Sequence, residues 1–255
     1  MKKIGLVLVV VASVMLVTSA GIAFVNVAPV VQGSPEIEKI IVAIQADEMP
    51  ARGGIPGPPE DIPEPPEGEE EGEYRLLKKG LKWRVTPVSY VIDPYNLQGL
   101  TQEFIAGAVS ASAEEWDSYT STELFNDTYG IVHDATFDTV VPDGRNEIMF
   151  GDYPWPGVVA VTVIWGISNG PPEQREILEF DIMFDTDYAW GDATVLGDAV
   201  MDLQNVSTHE FGHGSGLDDV DAEEETMYGV VDYGETMKRT LYFGDKAGIQ
   251  ELYGV

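Results

Sequence analysis

No cysteine occurs anywhere in the 255-residue chain. Disulfides and thiolate metal sites are therefore excluded, and any transition metal must be held by His, Asp or Glu. Histidine is almost as scarce, with three in all, at positions 133, 209 and 213. Positive charge is scarce too. The chain has 14 Lys plus Arg against 44 Asp plus Glu, and from Val85 to Val255 the ratio is 5 to 32, a formal −27. Such a surface repels phosphate, which excludes nucleic acid and anionic lipid head groups as partners and suits cations and basic polypeptides. Acidity that serves only solubility or a salty habitat gives the same composition.

Apolar residues make up 44% of the chain, with five tryptophans and eleven tyrosines, enough for one core without external staples. They are unevenly placed. Lys2 and Lys3 precede an uncharged run from Ile4 to Gln32. Residues 1–31 thus read as a signal peptide or as an uncleaved membrane anchor, either of which puts the rest of the chain outside the cytoplasm. Residues 32–73 read as an acidic, Pro/Glu-rich linker or pro-segment, with eight carboxylates between Glu60 and Glu73. A carboxylate there, such as Asp61 or Glu64, is expected to restrain the domain that follows. Residues 74–255 read as that single domain, and the sequence leaves its oligomeric state open.

Within the domain, Trp83 to Ile92 reads as a strand and Thr101 to Tyr119 as a helix with Phe104, Ala108, Ala111 and Trp116 on one face. Further strands are expected at Thr136–Val141, Glu147–Phe150, Val158–Trp165 and Ile177–Phe184, and further helices at about Ala199–Ser215 and Asp245–Leu252. This order points to an α/β layered domain with a mostly parallel sheet.

The chemistry is concentrated in VSTHEFGHGSGLDDV, beginning at Val206. His209 and His213 lie four residues apart, so on a helix both imidazoles leave one face and can reach one zinc ion. Glu210 is placed to hold a water without ligating the metal. Gly216 suits a left-handed stop, and the turn brings Asp219 back as third ligand, leaving a fourth position for water. His133 stands alone in GIVHDATF and reads as a loop histidine.

The run His209-Glu210-x-x-His213-x-x-Gly216-x-x-Asp219, with Thr226-Met227-Tyr228, resembles the zinc-binding helix and Met-turn of the metzincins, most closely the matrixins. LKWRVTPVSYVID from Leu81 and GDKAGIQELYG from Gly244 resemble the first strand and closing helix of the same domain. The resemblance implies a twisted five-stranded, mostly parallel sheet with one antiparallel edge strand, and three helices. It also implies peptide binding along that edge, for which Val158–Trp165 is the expected strand, and a hydrophobic floor under the metal made by Met227.

Three departures from the pattern matter. Animal matrixins usually have histidine where Asp219 stands. Matrixin latency uses a pro-segment cysteine, which this chain cannot supply. A second, structural zinc would need a histidine where Met183 stands, so that zinc is not expected. Asp181, Asp185 and Asp187 in FDIMFDTDYAWGD offer oxygen ligands for calcium or form a solvated acidic loop. The expected activity is that of a secreted or surface-tethered zinc endopeptidase acting on polypeptides, with Glu210 as general base and acid. An exported acidic metal-binding module without protease activity is the alternative.

Overall fold

The computed structural model describes residues 36–47, 72–78 and 80–255, together with the backbone of residues 24–25. The rest of the N-terminal leader and of the acidic linker, including Asp61 and Glu64, lies outside the described residues. Among the described residues no helix is long and apolar enough to cross a membrane.

In chain order the first elements are β1 (Phe24–Val25), β2 (Glu38–Ala46), β3 (Arg75–Leu76), β4 (Val91–Ile92), α1 (Gln102–Asp117), β5 (Gly130–Ile131), β6 (Glu147–Gly151), β7 (Val158–Ile167) and β8 (Glu176–Asp185). There follow β9 (Trp190–Gly191), the short α2 (Ala193–Leu196), β10 (Met201–Asp202), α3 (Leu203–Ser215), β11 (Leu217–Asp218), β12 (Val230–Val231) and α4 (Phe243–Tyr253). The main sheet runs β1-β2-β7-β8-β6-β4-β5, with β12 also paired to β2. Its β8-β6, β6-β4 and β4-β5 pairs are parallel and β7 is antiparallel to β8. Strands β7, β8, β6, β4 and β5 therefore form the expected α/β arrangement of a mostly parallel five-stranded sheet with one antiparallel strand.

Local chemistry accounts for the helix limits. Thr101 caps α1 through its side-chain oxygen, which accepts from the Phe104 amide, and Asp202 caps α3 by accepting from Asn205 at 2.9 Å. Helix α1 packs on α3, and the Trp116 indole donates to the Thr208 carbonyl at 2.7 Å. On the other side of α3, Phe211 meets Phe125 and Phe180 edge-on, with ring centroids 4.9 and 5.7 Å away.

Three stretches differ from the sequence reading. Of Trp83–Ile92 only Val91–Ile92 is strand, because Pro87 has no N–H to offer a ladder. Thr136–Val141 forms no strand. Its backbone is taken by side chains instead, the Asp138 amide by Asp181 at 3.0 Å and the Asp138 carbonyl by the Trp165 indole at 2.8 Å. Finally, β2 lies inside the stretch read as linker or pro-segment, yet it pairs along β7. Strand β7 is consequently flanked on both sides, and its VVAVTVIWG run is buried throughout.

Candidate active site

Helix α3 delivers His209, Glu210 and His213 to one place, all three fully buried. It ends at Gly216, whose φ is +108°. A Cβ at that position would stand 2.4 Å from the Leu81 carbonyl oxygen, so backbone conformation and space both demand glycine. The turn then carries Asp219 back under the helix, to 3.3 Å from His209 Nε2 and 3.4 Å from His213 Nε2 through its Oδ1. Asp218, next in the chain, accepts the Asp219 amide at 3.0 Å and lies outside this group.

Hydrogen bonding fixes both imidazole tautomers. His209 Nδ1 donates to the Thr226 carbonyl at 2.8 Å and His213 Nδ1 to the Leu217 carbonyl at 2.9 Å. Each neutral ring therefore presents a bare lone pair at Nε2, and the two Nε2 atoms face one another 3.0 Å apart. With Asp219 Oδ1, itself buried and without a hydrogen-bond donor among the described residues, three acceptors converge on one point. Such a cluster requires a positive charge. A tetrahedral zinc ion with bonds of about 2.1 Å separates its ligands by about 3.4 Å. The observed separations of 3.0, 3.3 and 3.4 Å fit that donor geometry. Proton affinity responds to the same field. Burial opposes a charge on His213, but the Asp219 carboxylate overcomes it and raises the imidazole to about 9. Burial likewise opposes ionisation of Asp219, yet His213 holds its carboxyl well below the usual range.

Glu210 stands beside these three acceptors with divided partners. Its Oε2 accepts a short hydrogen bond from the Thr162 hydroxyl on β7, whereas its buried Oε1 has no partner among the described residues. Burial pushes its carboxyl upward, against the opposing pull of the two imidazoles and Thr162. The result is a fixed carboxylate with one free oxygen, suited to accepting a proton from a water. Thr162 was not singled out from the sequence. It is the one polar residue in VVAVTVIW, and a buried hydroxyl in such a run must find a partner.

Met227 is 2% exposed and lies beneath α3. A Cβ on Gly212 would come within 2.2 Å of its sulfur, so Gly212 is what lets the helix rest on the methionine. The turn is held from α4, because the Asp245 carboxylate accepts the Thr226 amide at 2.7 Å and the Met227 amide at 3.1 Å. Asp245 thereby positions the carbonyl that orients His209, a role that local sequence did not reveal.

The three aspartates considered for calcium separate. Asp181 groups with Asp138 and Glu179, whereas Asp185 and Asp187 group with Asp152. Four residues along a strand span about 13 Å, too far for one ion to bridge Asp181 and Asp185. In the first cluster burial raises Asp181 to about 8 and Glu179 to about 7, and Glu179 Oε1 is buried without a partner among the described residues. His133 is exposed and lies 3.8 Å from Asp93, apart from all of these groups.

Comparison with known proteins agrees with this geometry. The matrixin family model matches residues 168–254, the stretch that contains β8, α3 and α4. Stromelysin-3 of Rattus norvegicus is 27% identical over 212 residues, covering 82% of this chain and 38% of that protein. Stromelysin-3 of Homo sapiens is 26% identical over 208 residues, 80% of this chain and 37% of the relative. Matrilysin of Mus musculus is 29% identical over 185 residues, 71% of this chain and 63% of the relative. The chain thus spans under two-fifths of the length of these stromelysin-3 relatives. Sheet order, the convergence of His209, His213 and Asp219, and these similarities together support a matrixin-like catalytic domain.

Proposed function

We propose that this chain is a zinc-dependent endopeptidase that hydrolyses peptide bonds of extracellular polypeptides. The reading is carried by the three buried acceptors that converge beside the free oxygen of Glu210. His209 and His213 through Nε2, and Asp219 through Oδ1, would hold zinc. When bound, zinc increases the acidity of water and polarises a carbonyl group. Glu210 Oε1 takes the proton of the attacking water and passes it to the leaving amine, while Thr162 keeps the other oxygen in place. Asp245 and Met227 hold the turn that orients His209. An extended peptide would pair along the β7 edge that β2 occupies in this structure. The leader would place the domain outside the cell, secreted or tethered to the membrane's outer face. Calcium would sit at the Asp138-Glu179-Asp181 group or at the Asp152-Asp185-Asp187 group.

The test is cleavage of a quenched peptide library by the wild-type chain and by Glu210→Ala, with zinc content measured in parallel. Loss of a general base costs roughly 10²- to 10⁴-fold in rate, so the variant should keep one zinc and lose that much activity. A wild-type chain that binds one zinc and shows no chelator-sensitive cleavage would instead be a metal-binding module.

A further inference from the structure

The edge of β7 that would receive a peptide is already paired with the chain's own β2. From Glu38 opposite Gly166 to Gln45 opposite Val158, β2 runs antiparallel along β7, passing over Val159 at a single irregularity. On its other side β2 runs parallel to β12, with Gln45 opposite Val230 and Ala46 opposite Val231. The bonds are of ladder quality on both flanks: Gln45 N to Gly229 O at 3.0 Å, Ala46 N to Gly157 O at 2.9 Å and Asp47 N to Val231 O at 3.1 Å.

This path crosses the reactive groups. Val42 stands opposite Thr162, whose hydroxyl holds Glu210. Three residues further on, Gln45 bonds to Gly229, and a Cβ on Gly229 would lie 3.0 Å from the Asp219 carboxyl carbon. The stretch Val42–Gln45 is therefore bracketed by the base's partner on one side and a metal ligand's neighbour on the other. Its two inward side chains are buried, Val42 at 4% and Ile44 at 0% exposure.

We infer that β2 is a tethered, substrate-like occupant of the peptide groove, and that the groove accepts extended segments with aliphatic side chains at alternate positions, as Val42 and Ile44 provide. An added peptide and β2 cannot both pair with one edge of β7, so β2 competes with substrate. This inference rests on reading the groove as peptide-cleaving. Because β2 belongs to the same chain, its effective concentration at the groove is on the order of millimolar, which raises the apparent KM without altering the chemical step.

The test uses the full-length chain with two independent lesions. Val42→Asp/Ile44→Asp puts charges at the buried positions. Gln45→Pro removes only the N–H given to Gly229 and leaves the buried side chains intact. Ile37→Asp, at an exposed position, is the control. Two quantities are read: KM and kcat on a quenched peptide, and binding of a dye-labelled peptide of sequence Glu36–Asp47 to the same variants in a Glu210→Gln background, where nothing is cut. Release of β2 should lower KM at least about tenfold at constant kcat and tighten labelled-peptide binding by a similar factor, with the control unchanged. Equal peptide binding by unaltered and released forms overturns the inference. If binding tightens but no form cleaves, the endopeptidase reading falls and the occupancy of the groove stands.

Discussion

Thr162 and Glu210, 48 residues apart in sequence, share a buried hydrogen bond between the middle of β7 and α3, beside His209 and His213. It joins the strand that would take a peptide to the group that would move the proton. Only one carboxylate oxygen is tied, and the other remains free for a water.

The first prediction concerns that bond. Thr162→Val keeps the side-chain shape and removes the hydroxyl, leaving Glu210 free to rotate away from its working position. A hydrogen bond to a charged group contributes about 1.5–3 kcal/mol, so kcat should fall roughly 10- to 100-fold. Zinc stoichiometry, read by metal analysis, should not change. Unaltered kcat would show that Glu210 is positioned by something else.

Asp219 and its neighbour Asp218 make a paired test of the metal site. Asp219→Ala removes the acceptor that stands 3.3 and 3.4 Å from the two imidazoles. Its zinc affinity, measured by competition with a chromogenic chelator, should fall by several orders of magnitude. Asp218→Ala should bind zinc like the wild type. The reverse pattern would remove Asp219 from the ligand set.

The acidic clusters predict a response to calcium. Asp138, Glu179 and Asp181 crowd their carboxylates together in a domain of large negative charge. Calcium that binds the folded state selectively raises its melting temperature by mass action. Tm should therefore rise more with calcium than with sodium at matched ionic strength, and Asp181→Asn should blunt the difference. Equal responses to both salts would reduce the effect to screening.

Asp117, at the end of α1, gives a pH signature of its own. Burial raises its carboxyl to about 6, although the Leu124 and Phe125 amides pull the other way. A folded-state pKa above the unfolded value makes the folded protein bind the extra proton. Its contribution to stability is full below about pH 4 and is lost as pH rises through 6. Asp117→Asn retains an acceptor for both amides and removes the titration. The variant should match the wild type in Tm near pH 4 and exceed it at pH 7, and a constant difference across that range would refute the assignment.

Much of the site was legible because its parts are local. The four-residue separation of His209 and His213 has meaning on any helix, and Gly216 signals its own turn. The first helix was legible from Thr101 and the apolar spacing up to Trp116, whereas the second begins at Leu203, after its Asp202 cap, and not at about Ala199. Expectation failed where a propensity met a competing partner. Trp83–Ile92 carries strand formers but contains Pro87, and Thr136–Val141 gives its backbone to Asp181 and Trp165 instead of a ladder.

By itself the sequence determined the residue types available to a metal, the face from which the histidines project, the stop at Gly216 and the exclusion of thiolate chemistry. These depend on composition and on spacings of a few residues. Only the tertiary structure decided that Thr162 would hold Glu210, that Asp245 would pin the Met-turn, that Asp181 would part from Asp185, and that β2 would lie along β7. Each of these joins groups through strand register or helix packing. No local periodicity encodes which distant segment will supply the partner that a buried polar group or an open sheet edge requires.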